Sequence, residues 1–221
     1  MPTPRKALPS RLYAIADADA AARAGWDVVD LAGAFLDNGV RFMQLRAKHA
    51  SGRDVLRWTD AIADRMRRTS ADAVLVTNDR VDVALAASVP FVHVGQDDLP
   101  PDDVRELLGQ DGMVGLSTHT VEQVARACAA PIDYLAVGPV YGTRTKDTGY
   151  DAVGLDMVRH AAAAASTAER PLPVVAIGGI SAERCAEVIE AGAAAVAVIG
   201  GLLDGDPGAA VRRYLAALGE A

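Results

Sequence analysis

Only two cysteines, Cys128 and Cys185, occur in 221 residues. Neither belongs to a Cys-x-x-Cys pair or a His/Cys ligand spacing, and both fall inside helical patterns, so the sequence argues against a disulfide framework or a zinc site. Idle thiols in a cytoplasmic chain are the expectation. A block of lysines or arginines is also missing: 22 basic residues face 29 acidic ones, for a formal net charge of −7. Nucleic acid and anionic membrane surfaces are therefore poor partners, and any positive field must be local. No apolar stretch reaches the length of about 18 residues that a membrane span needs. The first ten residues carry Arg5 and Lys6 but no apolar targeting core. Pro/Gly-rich linkers and internal repeats are absent, and no Gly-x-Gly-x-x-Gly follows the first apolar run, where an open dinucleotide-binding sheet would want it.

What the chain does contain is alternation. Eight short apolar or β-branched runs, Leu12–Ala16, Arg41–Leu45, Ala73–Thr77, Phe91–Val94, Met113–Leu116, Ile132–Val137, Val174–Ile177 and Ala195–Ile199, each lead into a polar or glycine cluster and then a helical pattern. Helical stretches include Asp54–Thr69, Thr120–Ala129, Leu155–Thr167 and Ala182–Ala191. Thr120 with Gln123 reads as a capping box and Gly192 as a helix stop. The alanine run Ala161–Ala165 reads as plain helix surface. Strands that alternate with helices pair in parallel, because each return needs a crossover. Eight such units predict a single-domain (β/α)₈ barrel over residues 11–221, preceded by a Pro-rich extension at 1–10 that either is disordered or closes the barrel floor.

The active sites of such barrels are assembled at the C-terminal ends of the strands. Here those ends carry Asp17; Gln44, Arg46 and Lys48; Asn78 and Asp79; Gln96 to Asp98; Ser117 and His119; Thr143, Thr145 and Lys146; Gly178 and Gly179; and Gly200. Three cations and a glutamine are not helix caps. Gln44, Arg46 and Lys48 lie two apart, which on a strand turns them to one side together with Phe42. Converging cations suit a diphosphate, unless Asp79 or Asp98 merely pairs with them as a structural ion pair. Asp79 and Asp98 end neighbouring strands. Carboxylates placed there beside a diphosphate suit Mg²⁺, which takes one or two protein oxygens and completes its octahedron with water and phosphate. Asp97 competes with Asp98, and Asp79 has the alternative of charging a helix N-terminus. The glycines that end the last two strands let backbone amides approach a second, single phosphate.

The ordered set Gln-Leu-Arg-x-Lys, Asn-Asp-Arg, Val-His-x-Gly-Gln-x-Asp, Gly-x-Ser-x-His, Gly-Pro-x-Tyr-x-Thr-x-Thr-Lys and Ala-Ile-Gly-Gly-Ile resembles the thiamine phosphate synthase family from about Tyr13 to Gly200. The resemblance implies joining of the diphosphorylated aminomethylpyrimidine to the thiazole phosphate, with small-molecule partners only. It implies that Gln44, Arg46, Lys48, Asn78, Ser117 and Lys146 hold the pyrimidine diphosphate, with Arg46, Lys48, Ser117 and Lys146 as the catalytic set and its three cations neutralising the leaving group. Asp79 and Asp98 would bind Mg²⁺. Thr143, Thr145, Gly179, Ile199 and Gly200 would hold the thiazole phosphate. Gly200 departs from the pattern, since serine is common there; the loss of that hydroxyl predicts weaker thiazole phosphate binding. His93 reads as a lining residue, and His49 and His160 as peripheral. His119 supports an alternative, because a histidine in this motif serves acid–base chemistry in the similar thiazole tautomerases. A noncatalytic phosphate-binding barrel is the second alternative. Oligomeric state is left open by the sequence.

Overall fold

The computed structural model describes residues 7–69, 72–142 and 151–220. Eight parallel strands close into a barrel in sequence order: β1 Leu12–Asp17, β2 Phe42–Arg46, β3 Val74–Asn78, β4 Phe91–Val94, β5 Met113–Thr118, β6 Tyr134–Val137, β7 Val174–Ile177 and β8 Ala195–Val198. Closure is made where Leu12, Tyr13 and Ala14 of β1 pair with Val196, Ala197 and Val198 of β8. The helices are α1 Ala18–Arg23, α2 Val28–Asp37, α3 Gly52–Thr69, α4 Val81–Ala86, α5 Pro101–Leu108, α6 Val121–Ala129, α7 Gly154–Thr167, α8 Cys185–Glu190 and α9 Pro207–Ala217. Among the described residues no helix is long and apolar enough to cross a membrane.

The two-residue period of the strands divides the core into two layers. Leu12, Ala14, Met43, Leu45, Leu75, Val92, Val114, Leu135, Val174 and Val196 face outward and pack against the helices. Tyr13, Ile15, Phe42, Val76, Met113, Tyr134, Val175 and Ala197 fill the barrel itself, with Leu8 packed against this inner cluster. Tyr13 stacks on Phe42 with ring centroids 3.7 Å apart, and Tyr134 meets both rings edge-on. Such contacts add to the burial of large rings and fill the lower barrel among the described residues, with open space toward the strand ends.

Three readings of the sequence change. Ala161 and Ala165 are fully buried, because they lie four apart on the inner face of α7, so the alanine run is a close-packing face rather than surface. Thr120 does cap α6 by accepting from Gln123 N at 3.3 Å. The return arm, however, runs from His119 N to Gln123 Oε1 at 2.6 Å, one residue before the cap, so the box is offset. Residues 182–191 divide into a 3₁₀ turn at Ala182–Arg184 followed by α8.

Candidate active site

Strand β2 ends at Arg46, with Lys48 in the turn beyond it. Gln44, Arg46 and Lys48 nevertheless line one cavity of about 60 Å³, together with Asn78 and Asp79 from β3 and its turn, Asp98 after β4, and Ser117 at the end of β5. Gln44 is buried and donates from Nε2 to the Tyr13 hydroxyl at 2.8 Å. Arg46 pairs with Asp17, its neighbour in register across β1 and β2, rather than with Asp79 or Asp98. Asp17 also caps α1 by accepting from Ala20 N at 2.8 Å. The guanidinium is thus held at the lip of the barrel with donors to spare.

Lys48 Nζ stands 3.4 Å from Asp79 Oδ2. Asp79 stands just before the N-cap residue of α4 but does not cap that helix: no side chain caps α4, and Asp79 itself adopts φ +62°. Its amide donates to His93 O at 2.9 Å, which turns the carboxylate into the cavity. Burial first, and then the hydrogen bond and charge of Asp98, push its acid up to about 6, against the pull of Lys48. Asp98 Oδ2 accepts from Gly95 N at 2.8 Å. Asp97 is exposed and does not line the cavity, so geometry separates the two candidates that position in the sequence could not.

A larger cavity of about 250 Å³ adjoins the first. Ser117, Ile177, Ala197 and Ile199 belong to both walls, so the two spaces meet inside the barrel mouth. Its lining includes Gly178, Gly179, Ile199, Gly200 and His119. Gly179, at φ +63°, lies against the loop after β6, where an added Cβ would come within 2.5 Å of Gly142 O. That contact needs glycine whether or not an anion binds. Gly200 opens a 3₁₀ turn, Gly200–Leu202. His119 is fixed by Nδ1 on Gly138 O at 2.6 Å. Thr143, Thr145 and Lys146 lie outside the described residues. His49 is peripheral and pairs with Asp19 on the surface, and His160 is exposed.

Two participants were not singled out from the sequence. Tyr13 shares the parity of Asp17 on β1, a signal that the two-residue period contained. Tyr214 arrives from α9, where its hydroxyl donates to Ile180 O at 3.0 Å beside the larger cavity, and nothing local in the sequence marks it.

The family model described as thiamine monophosphate synthase matches residues 12–202, from the first strand to the turn after the last. The chain belongs to that family. It is 42% identical over 214 residues to the thiamine-phosphate synthase of Acidothermus cellulolyticus, covering 96% of each chain. It is 40% identical over 216 residues to that of Shouchella clausii, covering 96% of this chain and 98% of the relative. Among solved structures, the thiamine phosphate pyrophosphorylase from Pyrococcus furiosus superimposes with a TM-score of 0.83 at 27% identity, over 96% of this chain and 97% of the other. The thiamine-phosphate synthase relatives are transferases, and the smaller cavity lies wholly within the matched region, whereas the larger one also takes Asp204 and Tyr214 from beyond it.

Proposed function

We propose that this chain condenses the diphosphorylated aminomethylpyrimidine with thiazole phosphate, releasing thiamine phosphate and diphosphate, with Mg²⁺ held by Asp79 and Asp98. The observation that carries the reading is a charged small cavity opening directly onto a larger one lined by strand-end glycines. One suits a diphosphate, the other a ring that bears a single phosphate.

The donor set fits the metal. Among the described residues, Arg46 and Lys48 face three carboxylates, Asp17, Asp79 and Asp98, so a bare diphosphate would enter a mouth that is not net positive. Burial first, and Asp98 beside it second, raise the acid of Asp79, and a cation between the two carboxylates would oppose that rise. No group of three or more His, Cys, Asp or Glu gathers among the described residues. Mg²⁺ does not need one, since it binds through one or two carboxylates and substrate phosphates. When bound, the metal supplies charge neutralisation of the diphosphate oxygens.

Arg46 and Lys48 would take up the remaining charge of the leaving group, joined by Lys146 from the segment outside the described residues. The carbon–oxygen bond to diphosphate breaks with its electron pair on oxygen, and the thiazole nitrogen lone pair forms the new carbon–nitrogen bond. No proton moves in that exchange, so no strong base is required. The protein's work is orientation and electrostatics. The backbone at Gly179 and Ile199–Gly200 would hold the thiazole phosphate. Neither Cys128 nor Cys185 is in a disulfide, which accords with a cytoplasmic setting.

Diphosphate release by purified protein tests the reading, with both substrates present, in Mg²⁺ and in chelator. Release is expected to need both substrates and Mg²⁺, and Asp98→Ala should slow it by about 100-fold, the typical loss for one preorganised electrostatic contact. Release that persists in chelator would remove the metal from the reading. No release at all would transfer the chain to the tautomerase reading, with His119 as the residue to replace.

A further inference from the structure

A polar chain crosses the barrel interior beneath the two cavities. Gln44 Nε2 donates to Tyr13 Oη at 2.8 Å, and Tyr13 Oη lies 3.0 Å from Tyr134 Oη. Tyr134 Oη lies 3.0 Å from His93 Nδ1, and His93 Nε2 lies 2.8 Å from Ser117 Oγ. Gln44, Tyr13, Tyr134 and His93 are all buried, at 8% exposure or less. A hydroxyl proton without an acceptor is costly there, so counting protons fixes the direction of the chain.

Tyr13 accepts from Gln44 and has one proton to place; Tyr134 is the acceptor next to it. Tyr134 then donates its own hydrogen bond to His93 Nδ1. A neutral imidazole that accepts at Nδ1 carries its hydrogen on Nε2, and so donates to Ser117 Oγ. The reverse order would point the Tyr13 proton at the Gln44 amide hydrogen. Burial holds both phenols above their ordinary range, so each retains the proton that the chain uses.

A second observation shows room made for this arrangement. Gly115 on β5 faces the Tyr134–His93 contact, and a Cβ there would fall inside the Tyr134 phenol and 2.6 Å from His93 Nδ1. Its backbone is not left-handed, so packing against this hydrogen bond is what excludes a side chain.

We infer that Tyr13, Tyr134 and His93 are positioning residues that fix the polarity of the site: because Ser117 accepts from His93, its single proton is left to donate to an acceptor atom of bound substrate where the two cavities meet. Part of this rests on the synthase reading, which supplies the substrate; the direction of the chain does not.

The test is a double-mutant cycle on diphosphate release, using Tyr134→Phe, Ser117→Ala and the pair. Tyr134→Phe keeps the ring that packs on Tyr13 and Phe42. It should lower kcat/KM for the pyrimidine diphosphate by about tenfold, the worth of one hydrogen bond, with KM for thiazole phosphate unchanged. In the Ser117→Ala background the same change should have no further effect, whereas a merely structural role would multiply the two losses and overturn the proposal. Nitrogen-15 spectra of His93 at one fixed pH read the chain without substrate. The wild type should show the Nε2–H tautomer alone and Tyr134→Phe a mixture; Nδ1–H in the wild type overturns the proposal. Should the wild type release no diphosphate, the synthase reading fails while the tautomer still decides the chain. If Tyr134→Phe does not fold, the wild-type tautomer still decides the chain, Nε2–H upholding it and Nδ1–H overturning it.

Discussion

Asp79 combines a left-handed backbone with a carboxylate facing Asp98, two features that each cost stability and that Lys48 offsets only in part. Its acid is raised, so the folded chain holds a proton that the unfolded chain has already released between about pH 4 and pH 6. Stability contributed by that proton is present at low pH and is lost as pH rises through this window. In chelator, Asp98→Asn should therefore melt at the same temperature as the wild type near pH 4 and above it at pH 7; parallel melting curves would count against the carboxylate pair. At this scale the sequence is eloquent about residue type and poor about partners. It places Asp79 and Asp98 at adjacent strand ends, yet the pairing of Arg46 with Asp17 needs the register of β1 against β2, and the choice between Asp97 and Asp98 needs the turn that brings Gly95 N to Asp98.

Elements tell a different story, because strands and helices follow from local period. All eight expected strands form within two residues of their read boundaries, since buried parallel strands are continuous apolar runs. The two-residue shifts are at β5, which runs on to Thr118, and at β6, which begins at Tyr134 and leaves Asp133 occupied below the sheet. Its carboxylate binds Arg105 of α5 at 2.5 Å and accepts from Val114 N at 2.8 Å. Arg105 is further tied to the carbonyls of Pro131, Gly109 and Gly112, so one residue fastens α5 to the floor of β5 and β6. Asp133→Ala would leave that guanidinium and the Val114 amide without their carboxylate. A loss of about 3 kcal/mol in urea unfolding is expected, with diphosphate release at saturating substrate unaffected. A loss below about 1 kcal/mol would mean that the carbonyls alone hold Arg105. The misread alanine run has the same physical root: alanine is neutral in hydropathy, and only α7's seating against its neighbours shows which face is inner.

On the scale of the whole molecule the barrel is closed twice, once by the β1–β8 ladder and once by a clasp beneath it. Glu220 accepts from Arg11 N at 2.9 Å and from Ser10 Oγ, with Arg41 Nη2 3.9 Å away, joining segments about 210 residues apart in sequence. Glu220→Ala should cost about 1 kcal/mol of stability, read as a lower melting temperature, and leave both KM values unchanged. An altered KM would show that the floor and the mouth are coupled. Neither clasp nor charge balance is visible from residue spacing, since both depend on which ends of the chain the closed sheet brings together. The clasp also decides how the protein can be handled. A tether or fused domain on either terminal segment would hang from the side of the barrel opposite the cavities, so that an immobilised molecule would keep its mouth turned toward solvent.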